Sequence, residues 1–323
     1  MAQPPNVDGI LITWGDRLFY PGNRVAKPNP PPRLSSDAAR RRAAVIRQRI
    51  EATVVRRAPQ VMVKVTGGGR GMKAIAAHFR YISKNGRLDI EDQRGETMQG
   101  RDSLLDLVDE WRFGGSRIPD EAEPGHRREA FNIMLSMPRG TDALTVLRAA
   151  REFARIELTD HKYVLVLHDH QANPHVHLSV RAESMHGKRL NPRKADLHRW
   201  RETFAEQLRG WGIDAEATRQ ATRGRSGNFE PLWRIKARED GRLRTERSGT
   251  KSGALARASR ADAVQAWLRI GRALAESRDS ADRTLAKSIA GFITDMTMTP
   301  SAGRERAVAF APAQGRIDVE PRR

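Results

Sequence analysis

The chain of 323 residues contains no cysteine, which removes disulfide scaffolds, thiolate zinc sites and cysteine nucleophiles together. Any metal must then sit on His, Asp, Glu or Asn. Tyrosine is scarce, with three in the chain, so chemistry that needs a phenol has few candidates. No apolar run approaches the roughly 18 residues of a membrane helix, and Met1 to Gly9 carries neither the basic nor the apolar stretch of a signal peptide. A cytoplasmic protein without membrane insertion is expected. Acidic residues are in deficit, 39 against 58 Lys+Arg, for a formal charge of +19. So large an excess favours contact with a polyanion and costs self-repulsion otherwise. The 38% hydrophobic content is enough for at least one core, which argues against full disorder.

Composition divides the chain into three: residues 1–57 as a basic, Pro/Arg-rich arm, 58–228 as a folded domain, and 229–323 as a basic, partly helical region. Pro21, Pro28, Pro30, Pro31 and Pro32 exclude helix and central strand and read as an extended linker. Ser36–Asp37 then caps a helix expected from Ala38 to about Val55. Between Arg33 and Arg57 stand eight arginines against two acids, either a solvated arm or a nucleic-acid contact. Val61 to Val65 is a β-branched run closed by Gly67-Gly68-Gly69-Arg70-Gly71, giving strand, glycine loop and a helix from about Met72 to Ser83. Further helices are expected around Leu104–Trp111, Thr141–Leu158, Ala195–Gly210 and Val264–Phe292, with strands at Phe131–Met137, Tyr163–Leu167 and His175–Val180. This order implies an α/β fold: a mainly antiparallel sheet with helices on one side and the other face open.

The strand His175-Val176-His177 turns both imidazoles to one face, roughly 6.6 Å apart at about 3.3 Å per residue. His168 ends the preceding strand, and an antiparallel hairpin folds it back beside them. Neutral imidazole is a common metal ligand, and three converging on a point leave open positions for water or a phosphate oxygen. By donor type the ion is Zn²⁺ or Mn²⁺ before Mg²⁺, which prefers oxygen.

The segment from His168 through Asp169, His170, Asn173 and Pro174 to His177 resembles the third motif of conjugative relaxases, mobilization nucleases of the HUH (histidine, hydrophobic, histidine) endonuclease superfamily that include T-DNA border endonucleases. The family often has an acidic residue where this chain has His170, with Asp169 as a stand-in. Resemblance implies the HUH relaxase fold, a divalent cation (Mg²⁺ or Mn²⁺, with Zn²⁺ also fitting) on His168, His175 and His177, and a catalytic tyrosine that attacks a DNA phosphate. Tyr163 begins a buried strand and Tyr20 lies beside Pro21 in the arm, whereas Tyr81, in Phe79-Arg80-Tyr81-Ile82, resembles the first motif. His78, one turn before Tyr81, can face the same way as the phenol, and by default reads as a surface histidine.

Ser136 resembles the second motif, associated with holding DNA near the cut, and Ser before a Pro-Gly turn is also ordinary turn chemistry. The loop bearing Arg70 is expected to bring backbone N–H groups close to phosphate at a helix N-terminus, and without a following Gly-Lys-Ser/Thr it is no nucleotide-hydrolysis loop. The likeness spans about Val61 to Arg225. Arg219, Arg223 and Arg225 would track phosphates, and Trp200, Trp211, Phe229 and Trp233 offer stacking surface, with Trp200 and Trp211 also fitting core positions.

The expected activity is a site- and strand-specific nick in single-stranded DNA at an origin of transfer, through a 5′-phosphotyrosyl intermediate. Expected partners are relaxosome accessory proteins, a coupling protein and a type IV secretion channel. The alternatives are a rolling-circle replication initiator or single-strand transposase, which usually place the histidine motif before the tyrosine, and a non-catalytic basic DNA-binding accessory protein.

Overall fold

A computed structural model describes residues 6–20, 36–121, 127–170, 173–225, 227, 232–245, 251 and 253–298. Six strands form one sheet in the order β1-β4-β6-β5-β2-β3, with every named pairing antiparallel. They are β1 (Met62–Gly67), β2 (Ile90–Asp92), β3 (Thr97–Met98), β4 (Ala130–Ser136), β5 (Tyr163–His168) and β6 (His175–Arg181). The helices of the described residues are α1 (Val7–Phe19), α2 (Ser36–Ile50, prolonged by a π-helical turn Glu51–Val55), α3 (Met72–Ile82), α4 (Arg101–Phe113), α5 (Ala143–Glu157), α6 (Lys194–Gly210), α7 (Leu232–Glu239), α8 (Ala254–Ala275) and α9 (Ser280–Met298). The antiparallel α/β fold read from the sequence is therefore present, with a C-terminal part that is mostly helical.

Period-two alternation assigns the two sheet faces. Val63, Ile133, Leu135, Val176, Leu178 and Leu165 turn toward α5 and α6, meeting Phe153, Trp200 and Phe204 in the main core. The opposite face carries Val164, Val166 and Ala130, which pack with Ile75, Phe79, Leu104 and Trp111 of α3 and α4. The expectation of helices on one side only is corrected here: α3 and α4 cover part of the second face, because β5 is apolar on both faces. On that face Met62, Lys64, Asn132 and Met134 form a strip that is exposed or half-exposed.

A second core lies in the N- and C-terminal helices. Leu11, Leu18, Phe19, Ile46, Ile50, Trp267, Ile270 and Ile289 are buried together, so α1 and α2 close against α8 and α9. Helix α1 lies in the segment expected to be an arm without a helix before Ala38; the Asn6 side chain caps it, accepting from the Gly9 amide at 3.0 Å. The single helix expected over Val264–Phe292 is two, α8 and α9, which part at Glu276–Asp279, and the short strands β2 and β3 are additional to those expected. The Pro21–Pro32 linker, Phe229 and the C-terminal tail lie outside the described residues.

The two cores are joined by buried charge. Arg49, 4% exposed, reaches Glu216 at 2.7 Å and Glu202 at 2.8 Å. Thr222 donates its hydroxyl proton to Leu18 O (3.0 Å), and Trp267 Nε1–H donates to Thr222 O (2.8 Å).

Candidate active site

The β5–β6 hairpin pairs His168 directly with His175, and Val166 with His177. Because residues paired across an antiparallel ladder share a face, all three imidazoles project from the same side. Their ring centroids stand 4.5 to 5.0 Å apart, and one nitrogen from each lies within 4.8 Å of the others. All three are buried, at 5%, 5% and 9% exposure.

Backbone carbonyls orient two of the rings. His168 Nε2–H donates to Ile82 O at 2.7 Å, and His175 Nδ1–H donates to Asn173 O at 2.9 Å. A carbonyl only accepts, so the proton is fixed on those nitrogens and the other nitrogen of each ring keeps its lone pair. Burial holds His168 down at about 4, against an opposing pull from the Ile82 hydrogen bond. Burial also lowers His177 to about 3, with His168 and His175 adding repulsion, and lowers His175. The cluster is therefore neutral near pH 7, the state in which imidazole ligates.

Helix α3 crosses this face and brings Tyr81 to the cluster. Its apolar residues Ile75, Phe79 and Ile82 are buried at 2% exposure or less, which turns Tyr81 outward at 70% exposure. The Tyr81 ring lies 6.4 Å from His177 and 6.2 Å from His78. His78 is half-buried, 6.4 Å from His177, so its reading as a surface histidine is corrected. The turn after α3 places Lys84, Asn85 and Gly86 in succession at positive φ (51°, 60° and 82°), costly for lysine. At Gly86 a side chain would meet the Gly100 backbone, 2.5 Å from its carbonyl oxygen. Lys84 lies close enough to contribute to lowering both His168 and His170.

The remaining expected site residues are dispersed. Ser136 is buried, paired with His175, and donates to Pro174 O at 3.2 Å, bracing the turn into β6. Asp169 is exposed beyond the end of β5, while His170 stands 5.1 Å from the His168 ring. Arg70 is exposed in the glycine loop at the opposite end of α3 from Tyr81. The phosphate cradle expected of that loop is corrected: the amides of Met72 and Lys73 donate to Pro119 O and Asp120 O, and that of Gly69 to Ala130 O. Arg219 donates to Arg17 O at 2.7 Å; Arg223 is half-buried, lowered to about 10 by burial and by Arg225, which is exposed. Their segment makes its contacts with α1, α8 and α9 through Thr222, Gly224 and Arg260. Trp200 is core at 1% exposure, whereas Trp211 is 47% exposed beneath Arg148. The Trp233 side chain lies outside the described residues.

Residues 81–213 match the protein family described as relaxase, MobA/VirD2-like, nuclease domain. Over those residues the chain is similar to MobA/VirD2-like relaxase nuclease domains. It is 25% identical over 183 residues to the T-DNA border endonuclease VirD2 of Agrobacterium fabrum, covering 51% of this chain and 41% of that protein. The same identity and length relate it to the T-DNA border endonuclease VirD2 of Rhizobium radiobacter, of which 43% is covered. The chain thus spans less than half the length of these curated relatives.

A divalent cation fits the cluster of His168, His175 and His177. Nδ1 of His168 and Nδ1 of His177 are buried without a hydrogen-bond partner, an arrangement that a ligated cation relieves. Three neutral nitrogens and no carboxylate in the cluster suit Zn²⁺ or Mn²⁺ better than Mg²⁺. Among the described residues no helix is long and apolar enough to cross a membrane.

Proposed function

We propose that the protein is a site- and strand-specific nickase of single-stranded DNA, a relaxase that opens an origin of transfer by tyrosine transesterification. The observation that carries the reading is the position of Tyr81: an exposed phenol whose ring touches His177, beside three buried imidazoles with free lone pairs.

The Tyr81 phenolic oxygen attacks one phosphorus, the bond from phosphorus to the 3′ oxygen breaks, and that oxygen takes a proton to become a free 3′-OH. The 5′ end stays on the enzyme as a phosphotyrosyl ester, so the reverse attack by the 3′-OH rejoins the strand without an external energy source. His168, His175 and His177 would hold the cation, whose charge offsets that developing on the non-bridging phosphate oxygens. The Ile82 and Asn173 carbonyls keep two of these rings in register, and Ser136 fixes the Pro174 turn. The exposed strip of Met62, Lys64, Asn132 and Met134 supplies a path along the sheet for an unpaired strand, with Lys64 available to a phosphate. Asp169 stands by as the acidic residue of the hairpin, and Arg70, Arg219, Arg223 and Arg225 as cations for flanking DNA. Relaxosome accessory proteins, a coupling protein and a type IV secretion channel are the partners that such an adduct requires, and the cytoplasm is where the reaction would begin.

The test is incubation with single-stranded oligonucleotides tiled from the flanking genomic DNA, with Mn²⁺ or Mg²⁺. A denaturation-resistant protein–DNA band in the wild type, absent in Tyr81→Phe, supports the reading. Salt-sensitive binding without an adduct for every oligonucleotide would reduce the protein to a DNA-binding one.

A further inference from the structure

We propose that His78 is a substrate-binding residue of the reaction centre: its Nε2–H donates a hydrogen bond to a non-bridging oxygen of the phosphate that Tyr81 attacks, while its ring supports the phenol. This rests on the nicking reaction proposed above and assigns a further residue to it.

Helical spacing places residues i and i+3 on one side of α3, and the rings follow that geometry. His78 stacks on Tyr81 at an interplanar angle of 30°, and both meet His177 edge-on, at 75° and 80°. The three ring centroids stand pairwise 6.2 to 6.4 Å apart. A phosphate attacked by Tyr81 must bring its phosphorus to about 3–3.5 Å from the phenolic oxygen, and the ring neighbouring that phenol is His78.

The nitrogen chemistry separates His78 from the cation ligands. The cluster of nitrogens within 4.8 Å of one another comprises His168, His175 and His177, and His78 is outside it. Its Nε2 is nevertheless buried without a hydrogen-bond partner. A buried polar nitrogen left unsatisfied is costly whichever way it is protonated, so a residue serving only to pack α3 against the hairpin would be better apolar. With the proton on Nε2, an anionic phosphate oxygen accepts this hydrogen, and the bond strengthens as charge develops there in the transition state. The proton stays on the nitrogen throughout, so the contact orients and stabilises without entering the bond changes.

The experiment compares full-length wild type, His78→Phe and His78→Gln on an oligonucleotide that the wild type cleaves, measuring the rate of adduct formation at saturation, the KM and the Mn²⁺ affinity. His78→Phe keeps the stack and loses the donor; His78→Gln restores a donor amide near the Nε2 position and loses the stack. Expected for His78→Phe is a rate lower by about a hundredfold, the scale for removing one preorganised donor to a reacting group, with KM and Mn²⁺ affinity unchanged within about threefold. His78→Gln is expected to recover at least about tenfold of that loss. A wild-type rate in His78→Phe, a His78→Gln variant no faster than His78→Phe, or loss of Mn²⁺ binding in either would overturn the assignment while leaving the nicking reaction intact. Absence of any wild-type adduct would overturn both.

Discussion

His168 Nε2 lies 2.7 Å from the carbonyl oxygen of Ile82, so the strand that ends in one imidazole of the cluster is bonded to the last residue of the helix carrying Tyr81. One hydrogen bond thereby sets the distance between the proposed nucleophile and the proposed cation site. His168→Ala is expected to lose Mn²⁺ binding and also about 1–2 kcal/mol of stability, because the buried Ile82 carbonyl loses its donor. Calorimetric titration with Mn²⁺ and thermal unfolding of the same sample check both.

His175→Ala separates chemistry from DNA affinity. Adduct formation is expected to fall below detection, while affinity for single-stranded DNA stays within about threefold, since the electrostatic part of binding comes from the basic surface and scales with salt. Fluorescence anisotropy over a salt series reads this. Equal loss of both would assign the histidines to holding the fold.

The hairpin and the tyrosine were legible because their signals are local. Alternation in His175–Val180 fixes which side chains share a face, and the sheet register then obeys it. The fate of His78 was not legible: its helical phase puts it at the margin of the buried stripe of Ile75, Phe79 and Ile82, and only the crossing of α3 over β6 decides that it meets His177. Its three-residue spacing from Tyr81 was the signal available. The surroundings of the arginines of 219–225 were not legible for a related reason, since charge alone does not show that Arg219 also donates to Arg17 O. Helix α1 is hard to read because it is short and runs directly into a proline-rich stretch, so that the packing of Leu11, Leu18 and Phe19 against α8 rather than local pattern defines it.

Arg49 joins the helical core to the sheet through Glu216, buried at 2% side-chain exposure, and Glu202, half-buried at 18%. Arg49→Ala leaves both without this cation and is expected to cost about 3–5 kcal/mol, read by denaturant unfolding. Arg49→Met combined with Glu216→Gln is expected to recover part of that loss, because a desolvated charge rather than packing is responsible.

Asp282 gives the helical core an acid limit. Burial disfavours its charge, but hydrogen bonds from Arg47 and Ser277 and the charge of Arg47 outweigh burial and hold it below the usual carboxylate range. A carboxylate with a depressed folded pKa stabilises fully above its unfolded value of about 4 and loses that contribution as pH falls through the folded value. The melting temperature of the wild type is therefore expected to drop more steeply than that of Asp282→Asn between pH 5 and about pH 2–3. Parallel curves would remove Asp282 from the account.

The most direct measurement is mass spectrometry of the protein after cleavage of single-stranded DNA, nuclease trimming and trypsin digestion. Trypsin cuts after Arg80 and Lys84, isolating Tyr81-Ile82-Ser83-Lys84. The expected result is a nucleotide 5′-phosphate on Tyr81 within that peptide; a nucleotide on the peptide containing Tyr20 or Tyr163 would contradict the account.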